Sequence, residues 1–431
     1  MVDQCDVPQT QLVELISRLY PICRSLTGEG VRQTLRILQE MIPLEIHEVP
    51  TGTRVFDWEI PKEWNIHDAF VKDSSGRKII DFTNSNLHVV SYSVPFRGKL
   101  KLEELKSHLF TLPDHLDWIP YRTSYYNESW GFCLSHRQLL SLADDEYEIC
   151  MDSSLEEGSL TYGQFVIPGA TNKEILLTTH ICHPSLCNDN LSGIALLTWV
   201  ARQLSLRPNR YTYRFLFLPG TIGSIAWLAL NEAQVPLIQH GFVVAGVGDR
   251  GSFTYKKSRR GDAEIDAAFE YVLKSASGNS EIVEFSPYGY DERQFCSPGF
   301  NLPVGCIMRT PHGQYPEYHT SADNLEFLSM EAFADSIKKC TSVLGILENN
   351  RTYLNQNPKC EPRLGKRGLY KSIGGQTDEK QNELAMLWVL NLSDGNHSLL
   401  DIARRSGLIF SEIQGAAGAL LRHDLLKAIT D

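Results

Sequence analysis

Two histidines and an aspartate lie close together in one polar segment of the chain. Residues 178–193 read Thr-Thr-His-Ile-Cys-His-Pro-Ser-Leu-Cys-Asn-Asp-Asn-Leu-Ser-Gly and include His180, His183 and Asp189. The segment follows a β-branched apolar run and precedes a helical pattern, which is where an open α/β sheet presents functional side chains. Neutral imidazole and carboxylate groups suit zinc or a similar divalent ion. The segment therefore predicts a metal site.

Two more candidate ligands lie in later loops of the chain. Asp249 belongs to Val247-Gly-Asp-Arg-Gly, after a predicted strand, and His319 belongs to a polar loop before a helix predicted over residues 325–332. A hydrolytic zinc centre needs histidine and carboxylate ligands, an open position for water and a carboxylate base. Because the loops at one edge of a parallel sheet converge, we expect these two residues to meet the first three in one crevice.

Each of these residues also has a purely structural interpretation. Asp189 is placed to cap the helix that begins near Leu191, Asp249 fits a turn, and His319 fits a surface loop. The metal-site hypothesis rests on the set, because its members all occur at predicted strand or helix ends.

A short basic cluster follows Asp249 in the sequence Tyr255-Lys-Lys-Ser-Arg-Arg-Gly. It is either a solvated turn or a clamp in which Arg259 and Arg260 bind a substrate carboxylate or phosphate, since guanidinium groups pair with such anions through two hydrogen bonds. Tyr318, directly before His319, is a further candidate for substrate contact. Cys182 and Cys187 flank His183 and are expected to be buried packing thiols.

The elements that must position these residues are visible in the apolar spacing. Residues 9–42 predict two helices with a break at Thr27-Gly-Glu-Gly. The aromatic-rich stretch from 48 to 155 predicts short strands, among them 55–60, 78–80, 87–92 and 132–134. From residue 160 the pattern alternates between strands (174–179, 211–218, 241–247) and helices (191–206, 221–233, 263–277, 330–348). This alternation predicts an α/β fold, a mostly parallel sheet with helices on both faces.

The end of the chain has the pattern of a winged helix-turn-helix. Helices are predicted at 382–390, 399–406 and 410–421, after a connector rich in Pro, Asn and Gly over 349–375. Residues 378–431 contain five Lys or Arg and eight Asp or Glu, so the basic surface that DNA binding requires is missing. The predicted domains are a core (1–48 and 156–375), an inserted β-rich domain (49–155) and a winged-helix-like domain (378–431).

The bulk composition narrows the functional class. The chain has 431 residues, 42% of them hydrophobic, and a formal net charge of −11. This charge argues against nucleic-acid and anionic-membrane partners, and no stretch has the roughly 18 apolar residues of a membrane span. The acidic N-terminus lacks the pattern of a signal peptide, and the ten cysteines form no CxxC pair. We expect a cytoplasmic protein with reduced thiols.

Several motifs resemble those of co-catalytic zinc aminopeptidases. Asn188-Asp-Asn-Leu-Ser-Gly is similar to their Asn-Asp-x-Ser-Gly signature, and Tyr318-His-Thr-Ser-Ala-Asp to their closing Tyr-His motif. The whole chain resembles more closely a bacterial aminopeptidase-like family with an inserted small β domain and a C-terminal winged helix, found near polysaccharide or natural-product biosynthesis genes. The stretches that carry this resemblance are Phe56-Asp-Trp-Glu-Ile-Pro, Ser124-Tyr-Tyr-Asn-Glu-Ser-Trp-Gly-Phe-Cys, Cys182-His-Pro-Ser-Leu and Thr221-Ile-Gly-Ser-Ile.

The resemblance implies a zinc site with one or two ions. It implies His183, or alternatively His180, as the first ligand and Asp189 as the main or bridging carboxylate. Asp249 would be a further carboxylate ligand and His319 the last imidazole.

The chain departs from the pattern at the expected catalytic base. Gly220 stands before Thr-Ile-Gly-Ser, where the family pattern has a glutamate, and Gln164 stands where a second glutamate is expected. Loss of a general base typically costs about 10²–10⁴-fold in rate. Replacement carboxylates in the sequence are Glu317, Asp291 and Glu292, although none of them lies in the matching loop.

Two functional hypotheses follow from these observations. The first is a metal-dependent hydrolase of aminopeptidase type that acts on an amide bond of a peptide or amino-acid conjugate, in a biosynthetic pathway. The second is a pseudo-enzyme or ligand-binding protein on the same fold, without turnover because of Gly220. The expected partner is a small peptide or amino-acid conjugate, with a homo-oligomer formed through the winged-helix domain.

Overall fold

The computed structural model describes residues 9–275, 278–369 and 377–429. Two helices, α1 (Gln9–Leu19) and α2 (Glu29–Gln39), open the chain and are followed by strand β1 (Glu45–Pro50). Gly28 caps α2 with a φ of 96°, and a Cβ there would lie 2.1 Å from the carbonyl oxygen of Trp64. The predicted break between two helices is confirmed, because only glycine fits this close left-handed position.

The inserted region is built on antiparallel strands. Its elements are β2 (Arg54–Val55), β3 (Trp58–Glu59), β4 (Glu63–Lys72), β5 (Lys78–Asp81), β6 (Phe96–Lys101), α3 (Leu102–Leu105), β7 (Leu109–Phe110), β8 (Phe132–Cys133), α4 (His136–Leu140) and β9 (Glu146–Glu156). Strands β5, β4, β9 and β6 form one sheet in that order. The strand predicted over 87–92 is wrong: the chain makes a 3₁₀ turn over Asn86–His88, and Val89 and Ser91 form only isolated bridges.

The core consists of an eight-stranded sheet and its connecting helices. Its further elements are β10 (Ser159–Ile167), β11 (Glu174–His180), α5 (Gly193–Ser205), β12 (Thr212–Leu218), α6 (Ile222–Leu230), β13 (Ile238–Val244), β14 (Phe253–Lys256), α7 (Glu264–Ser275), β15 (Ser280–Val283), α8 (Glu292–Phe295), β16 (Val304–Met308) and α9 (Met330–Asn349). The strand order is β1-β10-β12-β11-β13-β16-β14-β15. The four central strands, β12, β11, β13 and β16, are mutually parallel, whereas β1, β10 and β14 pair antiparallel with their inner neighbours.

Burial explains why the central strands are rich in apolar residues. Every residue of β11 is buried, as expected for a parallel strand that is covered by other parts of the protein. The mixed α/β fold predicted from the alternation is confirmed, with antiparallel strands toward the edges. One prediction is wrong in detail: the helix after His319 begins at Met330, not at residue 325, because residues 321–327 form successive turns.

The inserted region and the core sheet belong to one compact unit. Their buried apolar residues are continuous, from Phe132 and Ile149 in the insertion to Leu216 and Val243 in the sheet. Within the residues that the structure describes, no helix combines the length and apolarity needed to cross a membrane.

A second unit contains the C-terminal elements, together with residues 267–275 of α7 and the part of α9 from residue 339 onward. The C-terminal elements are β17 (Thr352–Asn355), α10 (Thr377–Leu392), β18 (Asp394–Ser398), α11 (Leu399–Ser406), α12 (Phe410–Leu421) and β19 (Leu426–Ala428). The three strands form one antiparallel sheet in the order β18-β17-β19. The predicted bounds of α11 and α12 are confirmed, since Ser398 and Asp401 form a capping box and Gly407 ends α11 with a φ of 72°. The connector predicted over 349–375 contains strand β17, so the winged-helix sheet begins before residue 378.

Candidate metal centre

Strand β11 delivers the first imidazole to the site. It ends at His180, and the chain then passes through a π-helical turn, Cys187–Ser192, before α5 begins. Asp189 and Asn190 have non-helical backbone angles inside that turn, a local irregularity that is frequent at functional sites. The turn directs the Asp189 carboxylate back toward the end of β11, where its Oδ1 lies 2.8 Å from His180 Nε2.

Two further imidazoles face the other carboxylate oxygen. His319 Nε2 lies 3.0 Å and His183 Nε2 3.9 Å from Asp189 Oδ2. Ligand atoms of His180, His183 and Asp189 all lie within 4.8 Å of one another. The side chains of these three residues are at most 6% exposed, whereas that of His319 is 32% exposed. The centre is therefore a buried carboxylate surrounded by three imidazoles, with its open side at His319.

The protonation states suit metal ligation. Burial, which is only partly opposed by the charge of Asp189, holds the pKa of His183 well below its ordinary value, so this imidazole is neutral. Burial alone would raise the pKa of Asp189, but electrostatic interaction with the neighbouring His183 and the hydrogen bonds from His180 and His319 hold it well below its ordinary value. A carboxylate and neutral imidazoles are what a divalent ion requires.

The chain fixes the loop that carries these ligands. Asp323 accepts hydrogen bonds from the backbone N–H groups of Asn188 (2.6 Å) and Asp189 (2.9 Å). Arg24, which is 1% exposed, donates to the carbonyl oxygens of His183 (2.7 Å) and Pro184 (3.0 Å). Groups that hydrogen-bond to the backbone around metal ligands orient those ligands and tune the metal. Asp189 therefore lies at the centre of the cluster. It does not cap helix α5, because Ser192 holds the N-cap position of that helix.

The inserted region holds the last imidazole in place. Tyr121 N–H donates to the carbonyl of His319 (2.7 Å), and Ile119 exchanges two hydrogen bonds with Ser321, at 2.8 and 2.9 Å. The Tyr121 ring packs edge-on against His183 and His319, at centroid distances of 5.3 and 5.1 Å. His319 has a φ of 56°, a conformation that non-glycine residues adopt rarely. The insertion is therefore part of the site.

Tyr290 occupies the space in front of Gly220. A Cβ built on Gly220 would lie 2.1 Å from Cε1 of Tyr290. The Tyr290 hydroxyl lies 3.4 Å from both the Gly220 carbonyl and the Cys182 sulfur, and its ring packs against His180 at a centroid distance of 4.1 Å. Position 220 is thus filled by a neighbouring phenol, and a glutamate would require Tyr290 to move.

The predicted carboxylates do not all join the cluster. Asp249 accepts four hydrogen bonds, from Asn188 Nδ2, Gly251 N, Thr310 N and Thr310 Oγ1, at 2.6–3.1 Å. Because these donors occupy its oxygens, Asp249 serves in the structure as a loop anchor and lies outside the cluster of ligand atoms. The Glu292 carboxylate accepts a hydrogen bond from Lys256 Nζ (2.8 Å) in a buried ion pair. It is therefore already paired outside the cluster. Glu317 is half-buried, and its backbone carbonyl accepts from Thr320.

The other predicted site residues have distinct surroundings. Tyr318 stacks on His319 at a centroid distance of 3.9 Å, next to the cluster as expected. Arg259 and Arg260 instead bind Asn301, through its side-chain oxygen and its carbonyl, at 2.9 and 2.8 Å. Gln164 accepts from Arg214 and Trp227, at 2.9 and 3.0 Å, in a network that includes the Arg214–Glu174 ion pair.

Three residues of the site, Tyr121, Tyr290 and His312, were not predicted from the sequence, and a fourth, Asp291, was named only as a replacement base. Tyr121 and Tyr290 are aromatic residues of the kind that usually fill a core, so their residue type does not indicate a functional role. Asp291 is fully buried, and its Oδ2 has no hydrogen-bond partner among the described residues. Burial raises its pKa to about 6. His312 leaves Nε2 without a partner, and its ring lies 6.0 Å from that of Tyr290. Only Asp291, in the motif Tyr-Asp-Glu-Arg, stood out, as a distant replacement base.

The fold of this protein is similar to that of known zinc aminopeptidases. A zinc aminopeptidase from Bacillus subtilis superposes with a TM-score of 0.58 at 11% identity, over 79% of this chain and 94% of its own. An aminopeptidase from Aneurinibacillus sp. strain AM-1 gives a TM-score of 0.51 at 12% identity, over 79% and 93%. At these identities the likeness concerns the fold.

The chain belongs to the family described as a domain of unknown function, DUF4910, whose model matches residues 13–350. A winged helix-turn-helix model matches residues 351–428. A Clostridium acetobutylicum protein, provisionally named a polysaccharide biosynthesis protein with aminopeptidase-like domain, is 55% identical over 97% of this chain and 96% of its own. A crystal structure of a provisionally named peptidase from the same organism has a TM-score of 0.93 at 54% identity, covering 98% and 96%. The family resemblance seen in the sequence is confirmed.

Proposed function

We propose that this protein is a metal-dependent hydrolase that cleaves an amide bond in a small peptide or amino-acid conjugate. The observation that carries the proposal is the arrangement of His180, His183 and His319 around Asp189. Three imidazole nitrogens face one buried carboxylate, and this donor set suits zinc. When bound, zinc lowers the pKa of a coordinated water to about 7 and polarises a carbonyl oxygen.

The surrounding residues have separate tasks in this proposal. Arg24 and Asp323 hold the ligand loop from behind, and Tyr121 and Tyr318 enclose His319 from two sides. With no side chain at position 220, Asp291 is the proposed proton acceptor. A buried carboxylate whose pKa is near neutral is matched to that role, and its Oδ2 has no other partner.

The biological setting is a further part of the proposal. The name of the Clostridium acetobutylicum relative places that protein in polysaccharide biosynthesis. We extend this setting to the present chain, as a cytoplasmic step that removes an amide-linked group from a biosynthetic intermediate.

A second candidate function is ligand binding without turnover. The observation that favours it is the packing of Tyr290 into the space at Gly220. In this alternative the site binds an amide-containing ligand and lacks an efficient base, and the buried Asp291 is only a structural residue.

One experiment separates the two candidates. Metal content is measured by elemental analysis, and release of amine from an aminoacyl amide is measured with and without a chelator. The variants are Asp189→Asn, Asp291→Asn and the pair Gly220→Glu with Tyr290→Ser, which removes the clash. Substitution of the exposed His67 by Gln is the matched control.

The hydrolase proposal expects zinc and chelator-sensitive turnover in the wild type, loss of metal in Asp189→Asn, and loss of rate with retained metal in Asp291→Asn. If only the Gly220→Glu, Tyr290→Ser double variant hydrolyses the amide, the wild type is a ligand-binding protein without turnover. A wild type that takes up no divalent metal would overturn the hydrolase proposal and the ligand set on which it rests.

A further inference from the structure

The basic cluster that follows Asp249 places one of its lysines inside the protein. The Lys256 side chain is 7% exposed, and its Nζ donates to Glu292 Oε1 at 2.8 Å and to the Tyr288 carbonyl at 2.6 Å. Glu292 is 1% exposed, and Nζ of Lys256 lies 5.4 Å from the centre of the Phe285 ring. Lys256 is therefore neither part of a solvated turn nor a clamp for a substrate anion.

A buried ion pair of this kind contributes little net stability. The free energy needed to remove two charges from water roughly offsets their attraction, and apolar side chains of the same volume often stabilise a protein equally well. The hydrogen bonds of the pair, in contrast, hold the atoms that they contact in one arrangement. The role of Lys256 and Glu292 therefore depends on the backbone that they contact.

That backbone is the segment of residues 288–292. The Tyr290 N–H donates to both carboxylate oxygens of Glu292, at 3.0 and 3.3 Å, while Lys256 holds the Tyr288 carbonyl. A Cβ on Gly289 would lie 2.0 Å from Glu292 Oε1 and 2.7 Å from Lys256 Nζ. Because glycine has no side chain, the segment can lie directly against the ion pair.

The 288–292 segment carries two side chains to the metal centre. The Tyr290 ring packs against His180 at a centroid distance of 4.1 Å, and its hydroxyl lies 3.4 Å from the Cys182 sulfur. Asp291, the proposed proton acceptor, accepts from Ser224 at 2.8 Å and interacts electrostatically with His180. A shift of this segment would therefore move both groups relative to the ligands.

Lys256 contacts the segment from a fixed position in the core sheet. It is the last residue of β14, where it pairs with Cys306 of β16 and with Val283 of β15. Every residue of β14 is buried. A group on a strand that is paired on both sides is held more precisely than one on a loop.

We propose that Lys256 is a positioning residue that, through its ion pair with Glu292, holds the 288–292 segment so that Tyr290 and Asp291 face the metal centre. The inference rests on the proposed function for the catalytic role of Asp291. Lys256 acts through that residue and does not contact the substrate. Its loss should therefore lower kcat and leave KM unchanged, because a catalytic group is displaced while substrate contacts remain.

The test uses two variants of the full chain and one matched control. Lys256→Met removes the charge but leaves Glu292 buried and unpaired, which destabilises a protein. Lys256→Met with Glu292→Gln also removes that stranded charge and keeps an acceptor for the Tyr290 N–H. The control is Lys257→Met, the same substitution at the neighbouring lysine, whose ion-pair partner at 2.9 Å is the exposed Glu284.

Alkylation of cysteines by iodoacetamide, followed by peptide mass mapping, measures the position of the segment without turnover. Cys182 and Cys133 are both buried, but only Cys182 lies against Tyr290. In both Lys256 variants, Cys182 should be alkylated about tenfold faster than in the wild type and the control, with Cys133 still protected, because only the local structure opens. Zinc content should be the same in all four proteins.

Hydrolysis of L-leucinamide measures the catalytic consequence. In both Lys256 variants kcat should be about 10- to 100-fold lower at an unchanged KM, a typical range for a displaced catalytic group. In Asp291→Asn protein, Lys256→Met should lower kcat no further, because the two residues act as one unit.

The outcomes separate this inference from the proposed function. A wild type without turnover would contradict the proposed function, whereas faster alkylation of Cys182 alone would still support the role of Lys256 in holding the segment. Unchanged alkylation and unchanged kcat in both Lys256 variants would overturn the inference. Joint alkylation of Cys133 and Cys182 in the double variant would overturn it too, by showing that the ion pair supports the fold as a whole.

Discussion

At the scale of single residues, Asp291 makes a prediction about pH. Its carboxyl group is 0% exposed, and Oδ1 accepts from Ser224 at 2.8 Å. Burial raises its pKa to about 6 from an ordinary value of 3.8. The folded protein therefore keeps a proton on Asp291 at pH values where the unfolded chain has lost it, so stability from this group falls as pH rises from about 4 to 6.

The substitution Asp291→Asn tests whether the stability contributed by Asp291 falls as the pH rises. Asparagine keeps the acceptor for Ser224 but cannot ionise, so its stability relative to the wild type should increase between pH 4 and pH 7, by up to about 3 kcal/mol. Urea unfolding of the metal-depleted proteins at both pH values measures the difference. A difference between variant and wild type that is the same at both pH values would contradict the raised pKa.

Residue type and position in the sequence indicate a functional site for some residues of this region and mislead for others. The clustering of His180, His183, Asp189 and His319 could be predicted because imidazole and carboxylate groups after strand ends are uncommon outside functional sites. Asp249 has the same residue type and position, yet its oxygens are taken by backbone and side-chain donors. Sequence does not distinguish a carboxylate that is free for a metal from one that anchors a loop, because the difference lies in contacts with distant residues such as Thr310.

At the scale of elements, the contact between the insertion and the His319 loop makes a second prediction. The Ser321 hydroxyl accepts from the backbone N–H of Ile119 at 2.9 Å, which helps to hold His319 at its positive φ. The variant Ser321→Ala should keep the fold and weaken zinc binding about tenfold, which is the lower end for changes to residues that support metal ligands. Competition with a chromogenic chelator measures the affinity.

The control for this prediction is Ser141→Ala at the exposed end of α4. Its hydroxyl donates to the Gln138 carbonyl within the same helix, away from the ligand loop in sequence. Zinc affinity should be unchanged in this variant. If Ser321→Ala binds zinc as tightly as the wild type does, the insertion does not position His319.

Two glycines of the winged-helix unit should respond to alanine with opposite signs. Gly407 ends α11 with a φ of 72°, so Gly407→Ala should lower the stability by about 1 kcal/mol. Gly415 lies inside α12, is exposed, and has no atom within 4 Å of an added Cβ, so Gly415→Ala should raise the stability by up to about 1 kcal/mol. Thermal unfolding of the two variants measures both changes, and equal signs would contradict the assigned helix ends.

Helices and strands could be predicted from the sequence where one face of the element, or the whole element, is buried. Strand β11 and helices α11 and α12 were predicted within a residue of their bounds, because their apolar spacing and caps are local. Strands β4 and β9 were missed: β9 includes Asp152, Ser153 and Ser154 among its buried and half-buried residues, and such a strand is recognised only from its pairing with a distant partner.

At the scale of the whole molecule, the insertion and the core act as one unit around the metal centre. The insertion contributes the Tyr121 contact to the imidazoles, and the core contributes the histidines and Asp189. This division explains why the histidines and Asp189 could be predicted to lie together and the Tyr121 contact could not. The histidines and Asp189 follow strands of a common sheet, whereas the Tyr121 contact depends on how two separately encoded regions pack.

Charge distribution over the whole chain makes the last prediction, which concerns the winged-helix unit. The phosphate term that dominates DNA affinity needs clustered Lys and Arg, but residues 378–431 have five basic and eight acidic residues, and the whole chain carries −11. The full chain should therefore give no saturable rise in the anisotropy of a labelled DNA duplex at physiological salt. The variant Glu412→Lys with Asp424→Lys, which changes the balance from five against eight to seven against six, serves as the sensitivity control at low salt. Saturable binding by the wild type that weakens with added salt would contradict the prediction and would indicate that this unit recognises DNA.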